Sequence, residues 1–226
     1  MKILPPLTEA ELKARANAIA GKTLAMLAEL HQEPVPPSQH HAKGWVGQLL
    51  EKVLGANAMN LDQPDFMNLG IELKTLPVNK MGQPCESTYI CTAPIPNSDT
   101  DFESSRVWRK MAKMLWVPIE ADKAKPLAQR RIGVPILWSP SSSIRNQLCQ
   151  DWEEFMELIT LGQFENLSAH KGKYLQIRPK AANAKTFIQV INQYGQTISI
   201  VPKGFYLRAT LTQKIIQQNY ARLHAF

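Results

Sequence analysis

The sequence predicts an α/β protein in which helices flank a mixed β-sheet. Segments with apolar residues at helical spacing are mixed along the chain with short segments rich in β-forming residues. The 226 residues are 44% hydrophobic and 20% charged, which is ordinary for a globular protein and too apolar for a disordered one. No internal repeat or low-complexity tract interrupts this pattern, so we expect a globular α/β fold.

Three helices are predicted in the first quarter of the chain. Thr8 and Glu11 have the spacing of a capping box, and the apolar residues that follow them recur at helical intervals. A second, short helix is predicted over residues 23–30, before a proline-rich loop. A third is predicted over residues 44–54, because its apolar residues share one face and Gly55 suits the position after a helix end.

The remaining elements alternate between strands and helices. Alternating or β-rich segments predict strands over residues 69–78, 87–92, 134–138, 174–178, 197–201 and 205–208. Apolar residues at helical spacing predict helices over residues 105–115, 152–161 and 212–223. Helices mixed with short strands in this way suggest a mixed sheet flanked by helices.

Charge is distributed unevenly along the chain. Basic residues outnumber acidic ones by 26 to 19, which gives a formal charge of +7 and a pI of about 9.3. Glu165 is the last acidic residue, and residues 166–226 contain nine basic side chains and no acidic one. A second basic group, which contains Arg106, Arg109, Lys110 and Lys113, lies in mid-chain. This distribution favours contact with DNA or RNA, although a solvated basic face remains an alternative.

The three cysteines, Cys85, Cys91 and Cys149, are odd in number and contain no CxxC pair. That pattern argues against a disulfide framework and against a zinc site. The first residues are interrupted too early by Pro5 and Pro6 for a signal peptide, and no apolar run approaches the length of a membrane span. We therefore expect a soluble protein of a reducing compartment, the cytoplasm.

Residues 64–76, PDFMNLGIELKTL, hold the clearest chemical pattern. Alternation along the predicted strand places Glu72 and Lys74 on the side opposite Leu73. Asp65 precedes them across a turn marked by Gly70, so its carboxylate can lie beside that of Glu72. Two neighbouring carboxylates repel each other, and a shared divalent cation relieves the repulsion.

The backbone carbonyl of Leu73 could supply a third oxygen ligand to such a cation. Lys74 would then stand beside the metal, where it could position or deprotonate a water molecule and neutralise charge on a phosphate. An aspartate followed by Glu-x-Lys on the next strand has the form of a PD-(D/E)xK nuclease core. The spacing also arises by chance, so a pair of surface residues at Glu72 and Lys74 remains open.

Longer segments resemble the MutH family of mismatch-repair endonucleases and its relatives among GATC-cutting restriction enzymes. The matching segments are KGWVGQLLE (43–51), DFMNLGIELKTLPV (65–78), PLAQRRIG (126–133), DWEEFMELITLGQ (151–163), YLQIRPKAANAK (174–185) and PKGFYLR (202–208). They follow in order over almost the whole chain from residue 43. The resemblance implies one restriction-endonuclease-like domain over residues 1–226, with two lobes, about 1–104 and 105–226, around a DNA cleft.

The resemblance also implies an activity and its residues. Asp65, Glu72 and Lys74 match the catalytic positions, Glu51 matches a helix glutamate that joins the site, and Lys110 matches a lysine near it. The family uses Mg²⁺ to nick the unmethylated strand of hemimethylated DNA, 5′ to the guanine of GATC. It is activated by the MutL ATPase, which MutS recruits at a mismatch. We expect a monomer that binds double-stranded DNA and no membrane.

Six positions match residues that contact DNA in the family. They are Lys43, Glu86, Tyr89, Arg178, Lys180 and Tyr206. Arg178 and Lys180 flank Pro179, and long basic side chains of this kind suit guanine O6 and N7 in the major groove. Tyr206 is the candidate methylation sensor, because a methyl group on adenine N6 would collide with its ring or displace a hydrogen bond. The family often has phenylalanine where Tyr89 stands, which leaves its insertion into the minor groove open.

Two other functions remain compatible with the sequence. The first is a DNA-binding protein whose carboxylates are structural, which would never cleave DNA. The second is a restriction enzyme of the same superfamily, which would cut both strands whatever their methylation. A cleavage assay on GATC DNA with Mg²⁺ and with EDTA separates the first alternative, and strand-resolved products separate the second.

Overall fold

The computed structural model describes residues 3–37, 44–58, 62–95, 101–122, 124–180 and 186–223. Helices and short strands are mixed along the chain, as the sequence predicts. The α-helices are α1 (Glu9–Ile19), α2 (Leu24–Leu30), α3 (Trp45–Leu54), α4 (Arg106–Arg109), α5 (Ser142–Thr160) and α6 (Ala209–Leu223). The strands are β1 (Glu72–Val78), β2 (Thr88–Thr92), β3 (Met114–Glu120), β4 (Ile136–Trp138), β5 (Leu175–Pro179), β6 (Ile188–Ile191), β7 (Thr197–Ile200) and β8 (Lys203–Leu207).

Contacts divide the chain into two compact units. The first contains the described parts of residues 1–86, 112–139 and 213–226, and the second those of residues 87–111 and 140–212. These units differ from the two consecutive lobes, 1–104 and 105–226, that we expect from the sequence. The reason is that β3 pairs with β1, which draws residues 112–139 into the first unit.

The first unit is built on a three-stranded sheet in the order β1-β3-β4. β1 and β3 are parallel, with Glu72 opposite Met114, and β4 runs antiparallel to β3. Buried side chains of α1, α2 and α3 form one hydrophobic core with β1 and β3. This core fixes the sheet edge that carries Glu72.

The helix starts and ends of the first unit follow the local signals in the sequence. The Thr8 hydroxyl accepts the N–H of Glu11 at 3.1 Å, and the Thr23 hydroxyl accepts the N–H of Met26 at 3.2 Å. Each therefore satisfies an N–H group that has no partner within its helix. Gly55 follows α3 with φ of +82°, a conformation that favours glycine. The three predicted helices of this region are confirmed.

The second unit is built on an antiparallel sheet in the order β2-β8-β5, with a separate hairpin of β6 and β7. α5 packs against this sheet through Phe155, whose ring lies 6.1 Å from that of Phe205. Asp151 on α5 is buried and accepts the N–H groups of the three residues that lead into β5. The long helix and the sheet are thereby joined at both apolar and polar contacts.

Three predictions of secondary structure are wrong or incomplete. The helix predicted over residues 105–115 ends at Arg109, and β3 begins at Met114. β3 is buried along almost its whole length, so it lacks the alternation that marks a half-exposed strand. α5 begins ten residues before the predicted helix, at Ser142, where the Ser141 hydroxyl caps it. β6 has no counterpart among the predicted strands.

All three cysteines are free thiols. Across the described ranges, the helices are too short or too polar to cross a membrane.

Candidate active site and DNA interface

A tight turn brings Asp65 alongside the start of β1. Phe66 and Ile71 bond to each other through their backbone groups, at 2.9 and 3.3 Å, and Gly70 adopts φ of +64° between them. This bridge reverses the chain in the few residues that separate Asp65 from Glu72. The structure therefore contains the predicted turn between the two acids.

The N–H groups of the first two residues of β1 point to opposite edges of the strand. The N–H of Glu72 donates to the Lys113 carbonyl next to β3 at 3.0 Å. The N–H of Leu73 points to the opposite edge and donates to Asp65 Oδ2 at 2.8 Å. A residue in a strand directs its N–H and C=O to the same edge, so the Leu73 carbonyl faces the edge on which Asp65 lies. The Leu73 carbonyl is the group that the sequence predicts as a third oxygen ligand.

Glu72 and Lys74 form a largely buried ion pair on one face of β1. Lys74 Nζ lies 2.7 Å from Glu72 Oε1, and the two side chains are 20% and 2% exposed. The alternative of two solvated surface residues is excluded for Glu72 by this burial. A buried carboxylate is stable as an ion only when a partner compensates the lost hydration, and Lys74 supplies that partner.

The pKa of Lys74 reports the other charges nearby. Burial acts to lower this pKa, but the Glu72 carboxylate overcomes burial, and Asp65 and Glu51 act in the same direction. The resulting pKa lies above its usual value, so Lys74 is a cation at neutral pH. It is suited to attract a phosphate or a water oxygen, and less suited to remove a proton.

Glu51 reaches this region from α3. The helix buries Leu50, Val53 and Leu54 in the core of the first unit, while Glu51 is only partly buried. Its negative charge contributes to the raised pKa of Lys74. The structure thus brings together Asp65, Glu72, Leu73, Lys74 and Glu51, which we call the β1 cluster.

The donor set of the β1 cluster fits a divalent cation such as Mg²⁺. Three carboxylates and one ammonium leave it with a formal charge of −2, and its ligand atoms are the hard oxygens that Mg²⁺ prefers. Within the described ranges, no three His, Cys, Asp or Glu side chains are grouped so that they could hold a metal ion by themselves. The predicted metal ligands differ from such a group, since they are the carboxylates of Asp65 and Glu72 together with the backbone carbonyl of Leu73.

Lys110, Glu86 and Lys43 are not part of the β1 cluster. Lys110 belongs to the second unit, where it follows α4 and is 9% exposed. Glu86 is exposed at the end of the first segment of the first unit. Lys43 lies outside the described residues. The roles of these three residues stay predictions.

The other four predicted DNA contacts share one face of the β2-β8-β5 sheet. Tyr89 of β2 lies opposite Tyr206 of β8, and Arg178 of β5 lies opposite Gly204. Residues directly opposite each other in antiparallel strands point to the same face. Lys180, just after β5, donates its N–H to the Pro202 carbonyl at 2.6 Å. We call Tyr89, Arg178, Lys180 and Tyr206 the basic–aromatic cluster.

Cations and rings alternate within the basic–aromatic cluster. The Lys180 ammonium lies 4.3 Å from the centre of the Tyr89 ring, and the Arg178 guanidinium lies 5.6 Å from that of Tyr206. The two rings meet edge to face, with centres 5.3 Å apart. Burial raises the pKa of Tyr206, with a smaller contribution from Tyr89 and an opposing one from Arg178. The Tyr206 hydroxyl therefore keeps its proton at neutral pH.

Three residues that the sequence did not indicate support this cluster. The Ser87 hydroxyl lies 2.9 Å from Arg178 Nη1, and the Thr92 hydroxyl lies 3.0 Å from that of Tyr89. Gly204 lies beneath the Tyr89 ring and Lys180. Thr92 carried no signal, because residues three apart lie on opposite faces of a regular strand. An irregularity in the register between Tyr89 and Cys91 puts Tyr89 and Thr92 on the same face.

The comparisons with known proteins agree on one family. The family model described as "DNA mismatch repair enzyme MutH" matches residues 54–151. A protein of Enterobacter sp. (strain 638), named DNA mismatch repair protein MutH, is 45% identical over 96% of this chain and 94% of its own length. Proteins of the same name from Yersinia pestis and Escherichia coli O17:K52:H18 are each 46% identical, over 96% of this chain and 95% of their own lengths.

These matches extend over nearly all of the chain, the region of the β1 cluster included. Identity of this level over this length establishes common ancestry and a common fold, in agreement with the mixed α/β architecture. The chain therefore belongs to the MutH family of DNA mismatch repair enzymes.

Proposed function

We propose that this chain is a Mg²⁺-dependent endonuclease that nicks the unmethylated strand of hemimethylated GATC sites, 5′ to the guanine, during mismatch repair. The observation that carries the proposal is the β1 cluster, in which a hydrogen bond ties Asp65 to Leu73 next to the buried Glu72–Lys74 pair. DNA binding alone does not require a buried pair of charged side chains of this kind. The cost of such burial favours a chemical role.

In this proposal Asp65, Glu72 and the Leu73 carbonyl would hold Mg²⁺, and Glu51 would complete the acidic surroundings. A bound divalent cation supplies an activated water and neutralises charge on the phosphate. The Lys74 ammonium fixes the orientation of the Glu72 carboxylate and attracts the oxygens of the scissile phosphate. Lys110 is proposed to take part in catalysis, as its match to the lysine of the family suggests.

The basic–aromatic cluster is proposed to read the site. Arg178 and Lys180 provide long donors that suit guanine O6 and N7 in the major groove. The Tyr206 ring, held between Arg178 and Tyr89, has little freedom to move away from an added methyl group. Lys43 and Glu86 are proposed to contact DNA outside this cluster.

The family membership supports further proposals about partners. We propose that the chain acts as a monomer on double-stranded DNA and is activated by MutL, which MutS recruits at a mismatch. Activation is tested by adding MutL and ATP to a nicking reaction. A rate that does not rise would contradict this part of the proposal.

The test of the proposed function uses a hemimethylated GATC duplex with a different fluorophore on each strand. With Mg²⁺ we expect a nick in the unmethylated strand only, 5′ to the guanine, and with EDTA no product. Binding without cleavage under all conditions would favour the non-catalytic alternative. Cleavage of both strands whatever their methylation would favour the restriction enzyme.

A further inference from the structure

We propose that Tyr89 is a positioning residue, which stays on the sheet face and holds Lys180 for base reading. This role differs from that of a wedge, which leaves the protein surface and inserts between base pairs. The inference rests on the proposed function, because it concerns how the same site is recognised.

The first argument is the number of contacts that fix the Tyr89 side chain. Its ring face supports the Lys180 ammonium at 4.3 Å, and its ring lies edge to face with Tyr206. Its hydroxyl lies 3.0 Å from the Thr92 hydroxyl. An inserting side chain would have to give up all three contacts together. A phenylalanine at this position would be without the contact to Thr92.

The second argument is the space below the ring. A Cβ atom on Gly204 would lie 2.9 Å from Tyr89 Cε2, 3.2 Å from Lys180 Cβ and 3.3 Å from the Cys91 carbonyl oxygen. The first of these distances is too short for carbon atoms in contact. Glycine at position 204 therefore allows the Tyr89 ring and the Lys180 stem to lie against the sheet together.

The third argument is the direction in which Lys180 is held. An unrestrained lysine side chain samples many rotamers, and ordering it on DNA costs binding free energy. A ring face beneath the ammonium limits those rotamers before DNA arrives. Tyr89 thus acts on sequence choice through Lys180 and not through a base contact of its own.

The experiment measures binding selectivity in EDTA, as the ratio of affinities for a GATC duplex and for a duplex with one base pair of the site changed. Tyr89→Leu should lower this ratio about fivefold, in line with the loss of a cation–π contact. Tyr89→Phe keeps the ring and should stay within about twofold of the wild type. Tyr194→Leu is the matched control, because Tyr194 is an exposed tyrosine of the same unit.

A double-mutant cycle decides whether Tyr89 acts through Lys180. Adding Tyr89→Leu to Lys180→Ala should lower the ratio by no more than about twofold further. Gly204→Ala should also lower the ratio, since it displaces the ring and the lysine stem without removing either, and this variant serves if Tyr89→Leu fails to fold. Losses that multiply in the double variant would overturn the inference.

A second readout detects insertion directly. 2-Aminopurine placed beside the GATC site becomes brighter when a neighbouring base is unstacked. We expect no increase that depends on Tyr89. A rise on binding of the wild type that disappears in Tyr89→Leu would establish a wedge and overturn the inference. A wild type with no preference for GATC would overturn the proposed function as well.

Discussion

At the scale of single residues, the Lys74 ammonium balances part of the negative charge of the β1 cluster. Glu72 is almost completely buried, and its carboxylate would be costly to bury without the ammonium at 2.7 Å. The same ammonium is held charged by Glu72, with Asp65 and Glu51 acting in the same direction against the effect of burial on its pKa. Stability and proposed chemistry therefore depend on one side chain.

Replacing Lys74 by methionine should destabilise the protein, because the buried Glu72 carboxylate loses its partner. We expect a loss of about 3–5 kcal/mol in the free energy of unfolding, measured in urea. Glu72→Gln in the same chain should restore part of it. Lys52→Met is the control, because Lys52 pairs with Glu33 near the surface and such pairs contribute little. Equal losses for Lys74→Met and Lys52→Met would contradict this interpretation of the ion pair.

The three thiols should differ in reactivity. Burial raises the pKa of Cys149 to about 11, and Glu153 and Glu103 act in the same direction. Since the thiolate is the reactive form, Cys149 should stay largely unmodified by iodoacetamide at pH 8 and react faster as the pH approaches 11. Cys85 is exposed and Cys91 is buried, so Cys85 should be labelled first. Mass spectrometry of the peptides after short exposure measures the order, and early labelling of Cys149 would contradict it.

At the scale of elements, the end of α3 positions the acidic side of the site. Arg15 of α1 donates to the Leu4 carbonyl at 2.7 Å and to the Leu54 carbonyl at 3.1 Å, so it joins α1 to the last turn of α3. Gly55 follows directly, in a conformation that side chains rarely adopt. Glu51 lies one turn earlier on this helix.

Two glycines with similar backbone angles should respond differently to alanine. A Cβ atom on Gly55, with φ of +82°, would lie 2.6 Å from the Leu4 carbonyl oxygen and 2.8 Å from Arg15 Nη1. Gly21, with φ of +78°, has open space at the same place. Gly21→Ala should cost about 1 kcal/mol for the backbone alone, and Gly55→Ala about 2–4 kcal/mol. Denaturant unfolding measures both, and equal costs would show that the Gly55 contacts do not matter.

Elements with strong local signals are those that the sequence predicts well. Thr8, Thr23 and Gly55 act within a few residues of themselves, so their helices are confirmed. β3 was missed because its burial on both faces removes alternation, and because the basic residues before it have helical spacing. The start of α5 was missed because a run of serines is typical of a loop, although Ser141 caps the helix. Tertiary packing decides such segments.

At the scale of the whole molecule, the sequence predicts which residues are candidates for the chemistry but not which of them meet. The turn at Gly70 makes the approach of Asp65 to Glu72 predictable, because few residues separate them. Arg178 and Ser87 are 91 residues apart, and their contact depends on the register of strands that no local pattern fixes. The discontinuous units have the same origin, since parallel pairing of β1 with β3 is a long-range choice.

The formal charge of the chain differs between the segments that contain the two clusters. The acid-free segment, residues 166–226, contains Arg178, Lys180 and Tyr206 of the basic–aromatic cluster, whereas the acidic β1 cluster lies in the part of the chain with a slight negative formal charge. One segment is thus suited to attract the DNA backbone, and the other to hold a cation that acts on it.

The most direct test of the central claim is the single-turnover rate of nicking on a hemimethylated GATC duplex in Mg²⁺. Glu72→Gln should lower this rate by at least about a hundredfold while DNA affinity stays the same, because it removes a negative oxygen ligand and not a DNA contact. Glu9→Gln, an exposed acid of the first unit, should keep the wild-type rate. A Glu72→Gln protein that nicks the unmethylated strand as fast as the wild type would contradict the account.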